Sequence, residues 1–385
     1  MKDLQIIERD GDFSEMMPDF SVGVLVDQIR LIDFRNYKDV TIEFSSGLNV
    51  LSGANGQGKT NVLEALYLLG SSRLLRGQRD AEAIRDGTSQ FLVEAVLKGT
   101  ETKLGVSLER GGRKRSRLNG LDLPRASDIL GRLPCVCISV ADLSIVQGEP
   151  TDRRLFLDLE LSALYPHYLK RLASYKRALD QRNALLRESR DSFVQEDSFV
   201  PWETQLADHG AGIRHMRERY LHLIAPKLSY YHACMGETEV AVVTYVPHDE
   251  GKDADTLLRL LSNARSQDVM RGGTSIGPHR DDLLIEIDQR EARRFGSQGQ
   301  QRTAAISMKL ATWEAGREIR GESPLLLLDD MLSDLDANRR ERLVDIVLKG
   351  VGQAVLTCTE PEAAGPRVLA QAKVFAVKAG ALSPI

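Results

Sequence analysis

The sequence has no stretch of the roughly 20 consecutive apolar residues that a membrane-spanning helix needs. One of its longest apolar runs is PLLLLDDML at 324–332, and no cationic start leads into an apolar segment as in a secretory signal. Only four cysteines occur, and Cys135 and Cys137 lie one residue apart in an apolar run typical of a strand rather than a zinc site. These absences predict a cytoplasmic protein with no membrane partner.

An excess of positive charge is also missing, because 51 Lys and Arg are set against 55 Asp and Glu, for a net charge of -4. A uniformly basic nucleic-acid-binding chain is therefore excluded, although a local basic patch is not. There are no repeats and no low-complexity tracts. A length of 385 residues with 42% hydrophobic residues predicts a globular protein of about two structural units.

The segment GANGQGKT fits the pattern G-x-x-x-x-G-K-[ST] of a phosphate-binding loop. An apolar strand pattern at 48–53 precedes it, and 60–70 follows with apolar residues at helical spacing. In such a loop, Lys59 bridges the β- and γ-phosphates of ATP and Thr60 binds Mg²⁺. The alternative is a glycine-rich turn that ends in an exposed lysine. The predicted ATP-binding loop consists of Gly53, Ala54, Asn55, Gly56, Gln57, Gly58, Lys59 and Thr60.

A second element, LLLLDD at 325–330, places two carboxylates after four apolar residues. The apolar run predicts a buried strand whose end lies beside the phosphate-binding loop. We expect Asp329 to hold Mg²⁺ and Asp330 to polarise the attacking water. The alternative is a pair of acids that only caps a strand.

A third element distinguishes this chain from kinases and GTPases. Ser297, Gln298, Gly299 and Gln300 resemble the S-G-G-Q signature of ABC-type ATPases, with a glutamine in place of the first glycine. In that class the signature contacts the γ-phosphate bound to a second subunit, to which a serine and a helix N-terminus are suited. Asp336, in SDLD, resembles the residue that crosses the dimer interface. The alternative is a simple helix cap.

The order of these elements predicts an α/β fold, an ABC-type P-loop ATPase head split by a helical insertion domain. We expect residues 1–22 to form a flexible N-terminal extension, 23–148 and 272–385 to form the discontinuous head, and 149–271 to form a helical arm. Apolar residues at helical spacing on both sides of RDSFVQEDSFVP predict an antiparallel helical hairpin in the arm. Either the hairpin projects from the head, or its helices pack on a core.

A wider set of motifs resembles the RecF family of bacterial recombination and gap-repair proteins. The likeness covers about 24–380, nearly the whole chain, and includes FRNY, VADLSIVQGEPTDRRLFLD, YKRALDQRNALLR, GPHRDD and FGSQGQQRT in this order. RecF proteins resemble the heads of SMC and Rad50 proteins without the long coiled coils. The resemblance implies a homodimer formed with ATP, sequence-independent DNA binding, slow DNA-stimulated ATP hydrolysis, and help in loading RecA together with RecO and RecR.

The resemblance also implies roles for individual residues. Arg35 in FRNY corresponds to an arginine near the nucleotide phosphates, and Gln147 in VQGE resembles a Q-loop glutamine that senses Mg²⁺ and the attacking water. For Gln147 an exposed loop glutamine is the alternative. Arg76 corresponds to a further family arginine, although Leu75 departs from the pattern. In GPHRDD at 277–282, a structural ion cluster and a role in coupling nucleotide to DNA both remain open.

Clustered cations are candidates for DNA contact, because phosphate neutralisation needs positive charge and no particular order. The alternative is a solvated turn. The first candidate set is Arg113, Lys114, Arg115 and Arg117, and the second is Lys170, Arg171, Lys176, Arg177 and Arg182 on the predicted arm.

Two other classes of protein remain as alternatives. A transport ATPase subunit is disfavoured because Thr357 lies in the region where transporters have a switch histidine. An SMC-like structural protein is disfavoured because 61–296 is too short for a coiled coil of hundreds of residues.

Overall fold

The structure is a computed structural model that describes residues 23–75, 79–236, 239–333, 335–350 and 352–385. The predicted N-terminal extension at 1–22 and Arg76 lie outside the described residues. Within the described ranges, no helix is long and apolar enough to cross a membrane.

The strands form three sheets, and the helices lie mainly between and beside them. The strands are β1 (Val26–Phe34), β2 (Tyr37–Glu43), β3 (Leu48–Ser52), β4 (Gln90–Leu97), β5 (Lys103–Glu109), β6 (Arg115–Leu118), β7 (Leu121–Asp122), β8 (Cys135–Ser139), β9 (Ala241–Val246), β10 (Asp282–Ile287), β11 (Arg290–Glu291), β12 (Leu325–Asp329), β13 (Ala354–Cys358), β14 (Lys373–Lys378) and β15 (Ala381–Pro384). The helices are α1 (Lys59–Ser71), α2 (Ser144–Gln147), α3 (Pro150–Leu164), α4 (Pro166–Asp191), α5 (Val200–Cys234), α6 (Ala254–Arg271), α7 (Ala292–Phe295), α8 (Gln298–Arg320), α9 (Ala337–Gly350) and α10 (Pro366–Leu369).

The central sheet has the order β15-β14-β3-β13-β12-β8, and all its pairs except β14–β15 are parallel. Both of its faces are covered, which explains the continuous apolar run of β12. Leu325 and Leu327 belong to the core shared with the antiparallel sheet, whereas Leu326 and Leu328 belong to the core shared with the helices. Since the carboxyl ends of parallel strands meet at one sheet edge, the ends of β3, β13 and β12 lie side by side.

An antiparallel sheet of order β2-β1-β4-β5-β6-β7 covers one face of the central sheet. Buried and more exposed residues alternate along its strands because only one face of the sheet is buried. In β4, Phe91, Val93 and Ala95 point into the core and the residues between them are more exposed. This sheet carries FRNY in its first hairpin, which is how that motif comes close to the phosphate-binding loop.

Helices α4 and α5 form the predicted antiparallel hairpin. Tyr168 contacts Arg217, and Arg182 contacts Glu203. Residue numbers therefore rise along α4 as they fall along α5, so the two helices are antiparallel. The hairpin is packed on the head rather than free of it, because most of its buried apolar residues belong to the same core as α8 and the central sheet. Lys227 of α5 also pairs with Glu318 of α8 at 2.7 Å. The packed-helix alternative therefore describes this part of the arm.

A small sheet of order β11-β10-β9 joins the predicted arm to the predicted head. Strand β9 lies before the expected boundary at 271/272 and β10 lies after it, and they pair along their whole lengths. The division into two units remains a prediction, but these two segments share one sheet.

The acids of GPHRDD, of which Asp281 is buried and Asp282 is partly exposed, pair with arginines from the helical segment. Asp281 receives two hydrogen bonds from the Arg214 guanidinium, at 2.7 and 2.8 Å. Asp282 receives two from Arg153, at 2.7 and 2.9 Å. These ion pairs favour the structural ion cluster, with partners from α3 and α5 rather than from the motif itself, and a role in coupling nucleotide to DNA stays a prediction.

His279 of the same motif provides a pH-dependent contribution to stability. Its Nε2 lies 3.0 Å from the Thr274 carbonyl oxygen and its Nδ1 lies 2.6 Å from the Tyr175 hydroxyl. Burial lowers the pKa of His279 to about 4. The unfolded state thus binds the proton first as pH falls below about 6.5, so stability decreases between pH 6.5 and 4.

We expect the wild type to lose on the order of 3 kcal/mol of unfolding free energy over this window relative to His279→Gln, which cannot titrate. Urea denaturation of both proteins at pH 7, 5 and 4 measures this difference. A difference that stays constant with pH would show that the pKa of His279 is not depressed.

Candidate nucleotide-binding site

The phosphate-binding loop connects β3 to α1, as the sequence predicts. Gly58 has φ = 117°, and a Cβ atom there would lie 2.6 Å from Asn36 and 2.9 Å from the Tyr37 hydroxyl. A Cβ at Gly53 would lie 2.3 Å from the Val377 carbonyl oxygen. Both positions therefore need glycine, for conformation in the first case and for close approach in both.

The FRNY hairpin braces this loop from outside. Asn36 donates to the Gln57 carbonyl oxygen at 2.9 Å, and the Tyr37 hydroxyl donates to that of Gly58 at 3.0 Å. Burial raises the pKa of Tyr37, so its hydroxyl stays a donor. Sequence reasoning missed both residues, because these contacts join segments 21 residues apart.

Arg35 lies in the same hairpin but is held away from the cavity. Its guanidinium forms two hydrogen bonds with the Glu64 carboxylate of α1, at 2.7 and 3.0 Å, and one with the Glu82 carbonyl oxygen at 2.9 Å. The cavity lining does not include Arg35. In this arrangement Arg35 links the hairpin to α1, and its contact with the nucleotide phosphates stays a prediction.

Lys59 and Thr60 begin α1 and face the loop and β12. The Lys59 ammonium donates to the carbonyl oxygens of Gly53 and Ala54, at 2.5 and 3.1 Å. Thr60 donates its hydroxyl to the Asp329 carboxylate at 2.8 Å. The loop and the end of β12 are thus in direct contact, as the sequence predicts.

Thr357, at the end of β13, joins the two acids. Its hydroxyl donates to the Asp329 carboxylate at 3.0 Å and accepts from the Asp330 backbone N–H at 2.8 Å. Asp330 has φ = 53°, and Ser333 donates to its carboxylate at 3.1 Å. Thr357, which drew attention in the sequence only because transporters have a switch histidine in this region, therefore helps to position both acids of the site.

These elements enclose a cavity of about 440 Å³. Its lining comes from the loop and the start of α1, from Leu75, from 139–141 at the end of β8 and just after it, and from the ends of β12 and β13. Of the predicted loop residues, Asn55, Gly56, Gly58, Lys59 and Thr60 line the cavity, whereas Gln57 accepts a hydrogen bond from the Ala379 N–H on another side. Glycine N–H groups, one lysine and the α1 N-terminus are suited to polyphosphate.

The site also fits Mg²⁺. The Thr60 hydroxyl and the Asp329 carboxylate are hard oxygen donors 2.8 Å apart at the cavity wall. Across the described ranges, no group of three or more His, Cys, Asp and Glu side chains could hold a metal ion alone. Mg²⁺ in nucleotide sites binds through one or two protein oxygens together with phosphates and water, and Thr60 and Asp329 could supply the protein oxygens.

Gln147 is not brought into the cavity. It ends α2, and its side-chain amide donates to the Gln301 side chain of α8 at 2.6 Å. The cavity is reached by Ser139, the last residue of the parallel strand β8, and by Val140 and Ala141 after it. In this arrangement Gln147 links α2 to the signature helix, and its water-sensing role stays a prediction.

The signature turn begins α8 on a different surface. Ser297 is the N-cap and accepts from the Gln300 N–H at 3.2 Å, while the Gln300 side chain accepts from the Ser297 N–H at 2.7 Å. Asp336 precedes α9 and accepts from the Arg339 N–H at 3.0 Å. Neither the signature nor Asp336 lines the cavity of its own chain.

The predicted DNA-contacting set on the antiparallel sheet is only partly available. Lys114 pairs with Asp80 at 2.8 Å, and Arg117 pairs with Asp122 at 2.7 Å. Arg113 and Arg115 are exposed, although Arg115 also lies 3.8 Å from the Asp122 carboxylate, and DNA contact by them stays a prediction. The two cations most open to solvent in this set are therefore Arg113 and Arg115.

The second set contains one clear error. Arg182 is fully buried and pairs with Glu203 and Asp268, at 3.1 and 2.7 Å. It therefore cannot contact DNA. The helical spacing indicated the helix correctly but did not show which face of it is buried.

The fold and the site define the class: this is an ABC-type P-loop ATPase head with a Walker A loop, a Walker B strand and a signature turn. The protein-family model of the RecF/RecN/SMC N-terminal domain matches residues 25–364. The DNA replication and repair protein RecF of Symbiobacterium thermophilum is 38% identical over 364 residues, which cover 91% of this chain and 96% of that protein. The RecF of Clostridium acetobutylicum is 36% identical over 340 residues, 87% and 92% of the two chains. The chain belongs to the RecF family.

Solved structures agree with this assignment. The recombination mediator protein RecF with ATP, described as part of the RecFOR pathway, has a TM-score of 0.87 and 30% identity, with 96% of this chain and 100% of that chain covered. An SMC head bound to the C-winged helix domain of ScpA has a TM-score of 0.56 and 18% identity, covering 94% and 97%, and so shares the fold. The predicted fold class is confirmed.

Proposed function

We propose that this chain is an ATP-dependent DNA-binding protein of recombinational gap repair and replication recovery. ATP joins two copies head to head, the joined heads hold DNA, and slow hydrolysis releases it. One observation carries the proposal: the cavity has a phosphate-binding loop and two acids, whereas the signature turn of the same chain lies outside it. A second copy supplies the missing signature.

The residues of the cavity have different roles in binding and hydrolysing ATP. The loop N–H groups and Lys59 bind the ATP phosphates, and Thr60 and Asp329 hold Mg²⁺. The metal ion neutralises charge on the phosphate oxygens. Asp330 accepts a hydrogen bond from the attacking water and polarises it, while Thr357 keeps both acids in place.

The signature surface has features of an anion-binding interface. Because Ser297 uses its oxygen as an acceptor from Gln300, its O–H proton is available to donate to a phosphate. The N-terminus of the 23-residue helix α8 adds partial positive charge. Phe295, two residues earlier, is 67% exposed, which suits a surface that another copy covers.

The partners follow from the family. The relatives are named as DNA replication and repair proteins, which supports a role in DNA repair. The solved RecF with ATP, a recombination mediator of the RecFOR pathway, supports ATP binding and a place beside RecO and RecR. We propose that the chain acts in the cytoplasm and helps RecO and RecR place RecA on gapped DNA.

DNA binding provides the test. With fluorescently labelled duplex DNA, we expect anisotropy to rise with ATP and not with ADP or without nucleotide. The double variant Arg113→Ala, Arg115→Ala should bind more weakly, and its log–log salt slope should be smaller by about 1.8, because each phosphate contact contributes about 0.9.

The matched control removes two exposed cations elsewhere, in Lys349→Ala, Arg367→Ala. Equal affinities and slopes for the two double variants would exclude Arg113 and Arg115 as DNA contacts. DNA binding that is independent of ATP would contradict the proposed function itself.

A further inference from the structure

Arg339 of α9 lies between Asp336 and the signature turn, the two segments that face the second copy in the proposed dimer. Its backbone N–H donates to one carboxylate oxygen of Asp336 at 3.0 Å. Its guanidinium donates to the other carboxylate oxygen at 3.1 Å. Arg339 therefore holds the aspartate that precedes α9 through both its backbone and its side chain.

The same guanidinium lies against the signature glycine. A Cβ atom built on Gly299 would lie 3.0 Å from Nη1 of Arg339. This contact is tighter than most real Cβ contacts, so a side chain at 299 would displace the guanidinium. The absence of a side chain at Gly299 thus allows Arg339 to rest on the first turn of α8.

The other side of the signature turn is also fixed. The Gln300 side chain accepts from the Ser297 N–H and donates to the Glu239 carboxylate at 2.6 Å. Only 27% of the Arg339 side-chain area is exposed, compared with 51% for Asp336. The Arg339 backbone N–H lowers the pKa of the Asp336 carboxyl, and the guanidinium charge adds to this effect. The carboxylate also offsets the repulsion between the guanidinium and the positive helix N-terminus.

We propose that Arg339 is a positioning residue that joins the signature turn and Asp336 into one rigid surface, and that this surface acts in trans on the nucleotide held by a second copy. The inference rests on the proposed function. It adds a residue outside the signature and Walker motifs, and it assigns that residue to the half of the composite site that carries no nucleotide.

The first test separates nucleotide binding from dimerisation. In Arg339→Ala, we expect the affinity of the monomer for ATP to stay within about twofold of wild type. The dissociation constant of the ATP-dependent dimer should rise by about tenfold, the loss expected for about one charge-assisted hydrogen bond. Arg339→Lys keeps the positive charge but not the planar guanidinium with its several donors, so the dimer of this variant should be weakened less than that of Arg339→Ala. Arg367→Ala is the control, because Arg367 of α10 pairs with Asp345 of α9, the helix that carries Arg339.

Gly299→Ala retains the arginine but adds a Cβ to the signature turn itself, so it is read only together with Arg339→Ala. If the guanidinium lies against Gly299, the substitution should weaken the dimer less in the Arg339→Ala background than in the wild type, because the group that the Cβ would displace is already absent. Equal losses in the two backgrounds would contradict the proposed contact.

Mixed dimers provide the decisive test. A copy with Asp330→Asn binds ATP and dimerises but lacks the acid that polarises water, and it keeps Arg339. A copy with Arg339→Ala keeps its loop and its Asp330. If Arg339 acts in trans, one composite site of the mixed dimer is complete, so the mixture hydrolyses ATP faster than the two variants measured separately. If the mixture shows no gain, or if Arg339→Ala already weakens ATP binding by the monomer, the proposal is overturned. A wild type that does not dimerise with ATP would instead remove the proposed function, and this inference with it.

Discussion

Lys59→Met is expected to abolish the ATP-dependent dimer. In the structure Lys59 is 6% exposed and its ammonium donates to the carbonyl oxygens of Gly53 and Ala54, so the ammonium is already directed into the loop. When ATP binds, the ammonium exchanges these neutral acceptors for phosphate oxygens. Methionine keeps much of the length of the side chain but supplies no donor and no charge.

The loss of each charged hydrogen bond costs about 1.5–3 kcal/mol, so we expect ATP affinity to fall by about 10- to 100-fold. The dimer should be lost at ATP concentrations that saturate the wild type. Titration with a fluorescent ATP analogue measures the affinity and light scattering measures the dimer. Lys38→Met, at an exposed position on β2, is the control and should leave both unchanged. Undiminished dimerisation of Lys59→Met would show that this loop does not bind the γ-phosphate.

Asp330→Asn is expected to bind ATP and to form the dimer but to hydrolyse ATP very slowly. The backbone of Asp330 is left-handed, with φ = 53°, and asparagine tolerates this conformation as well as aspartate does. The amide is also close in size to the carboxylate. The substitution therefore removes the negative charge that polarises water while keeping the geometry that Thr357 and Ser333 support.

A positioned general base contributes typically about 10²- to 10⁴-fold to a rate, and we expect a loss within this range. Single-turnover hydrolysis with enzyme in excess isolates the chemical step. Asp345→Asn, which removes an acid on α9 outside the cavity, controls for net charge. Hydrolysis by Asp330→Asn at the wild-type rate would show that another group polarises the water.

Local patterns predicted the parts of the site that follow one another along the chain. The strand, loop and helix around 53–60 need only one apolar run, a few glycines and one helical repeat. The run LLLL at 325–328 indicates a strand covered on both faces, and the parallel central sheet has this property. The ends of neighbouring parallel strands must meet, which brings Thr60 to Asp329.

Contacts between distant segments were not predictable in this way. Asn36 and Tyr37 brace the loop only because the first hairpin lies over it, and no local pattern contains that information. Gln147 and Arg35 were placed by resemblance near the nucleotide, but the direction of a long polar side chain depends on its nearest partner. Gln301 and Glu64 are those partners.

The burial of charged side chains is the second feature that could not be predicted from the sequence. Arg182 has the spacing of an exposed basic stripe, yet Glu203 and Asp268 surround it in the core. A buried arginine is tolerated only when paired acids satisfy it, and these acids lie 21 and 86 residues away. The pairing depends on the packing of α4, α5 and α6 and not on any one segment.

The central claim is that ATP joins two heads through the signature turn and that the joined heads bind DNA. Molar mass in solution tests this most directly, measured without nucleotide, with ADP and with ATP, each with and without duplex DNA, for the wild type and Ser297→Arg. We expect the wild type to be a dimer that binds DNA only with ATP, and Ser297→Arg to stay monomeric because its side chain fills the exposed signature surface. A wild type that remains monomeric and free of DNA in ATP would contradict the account.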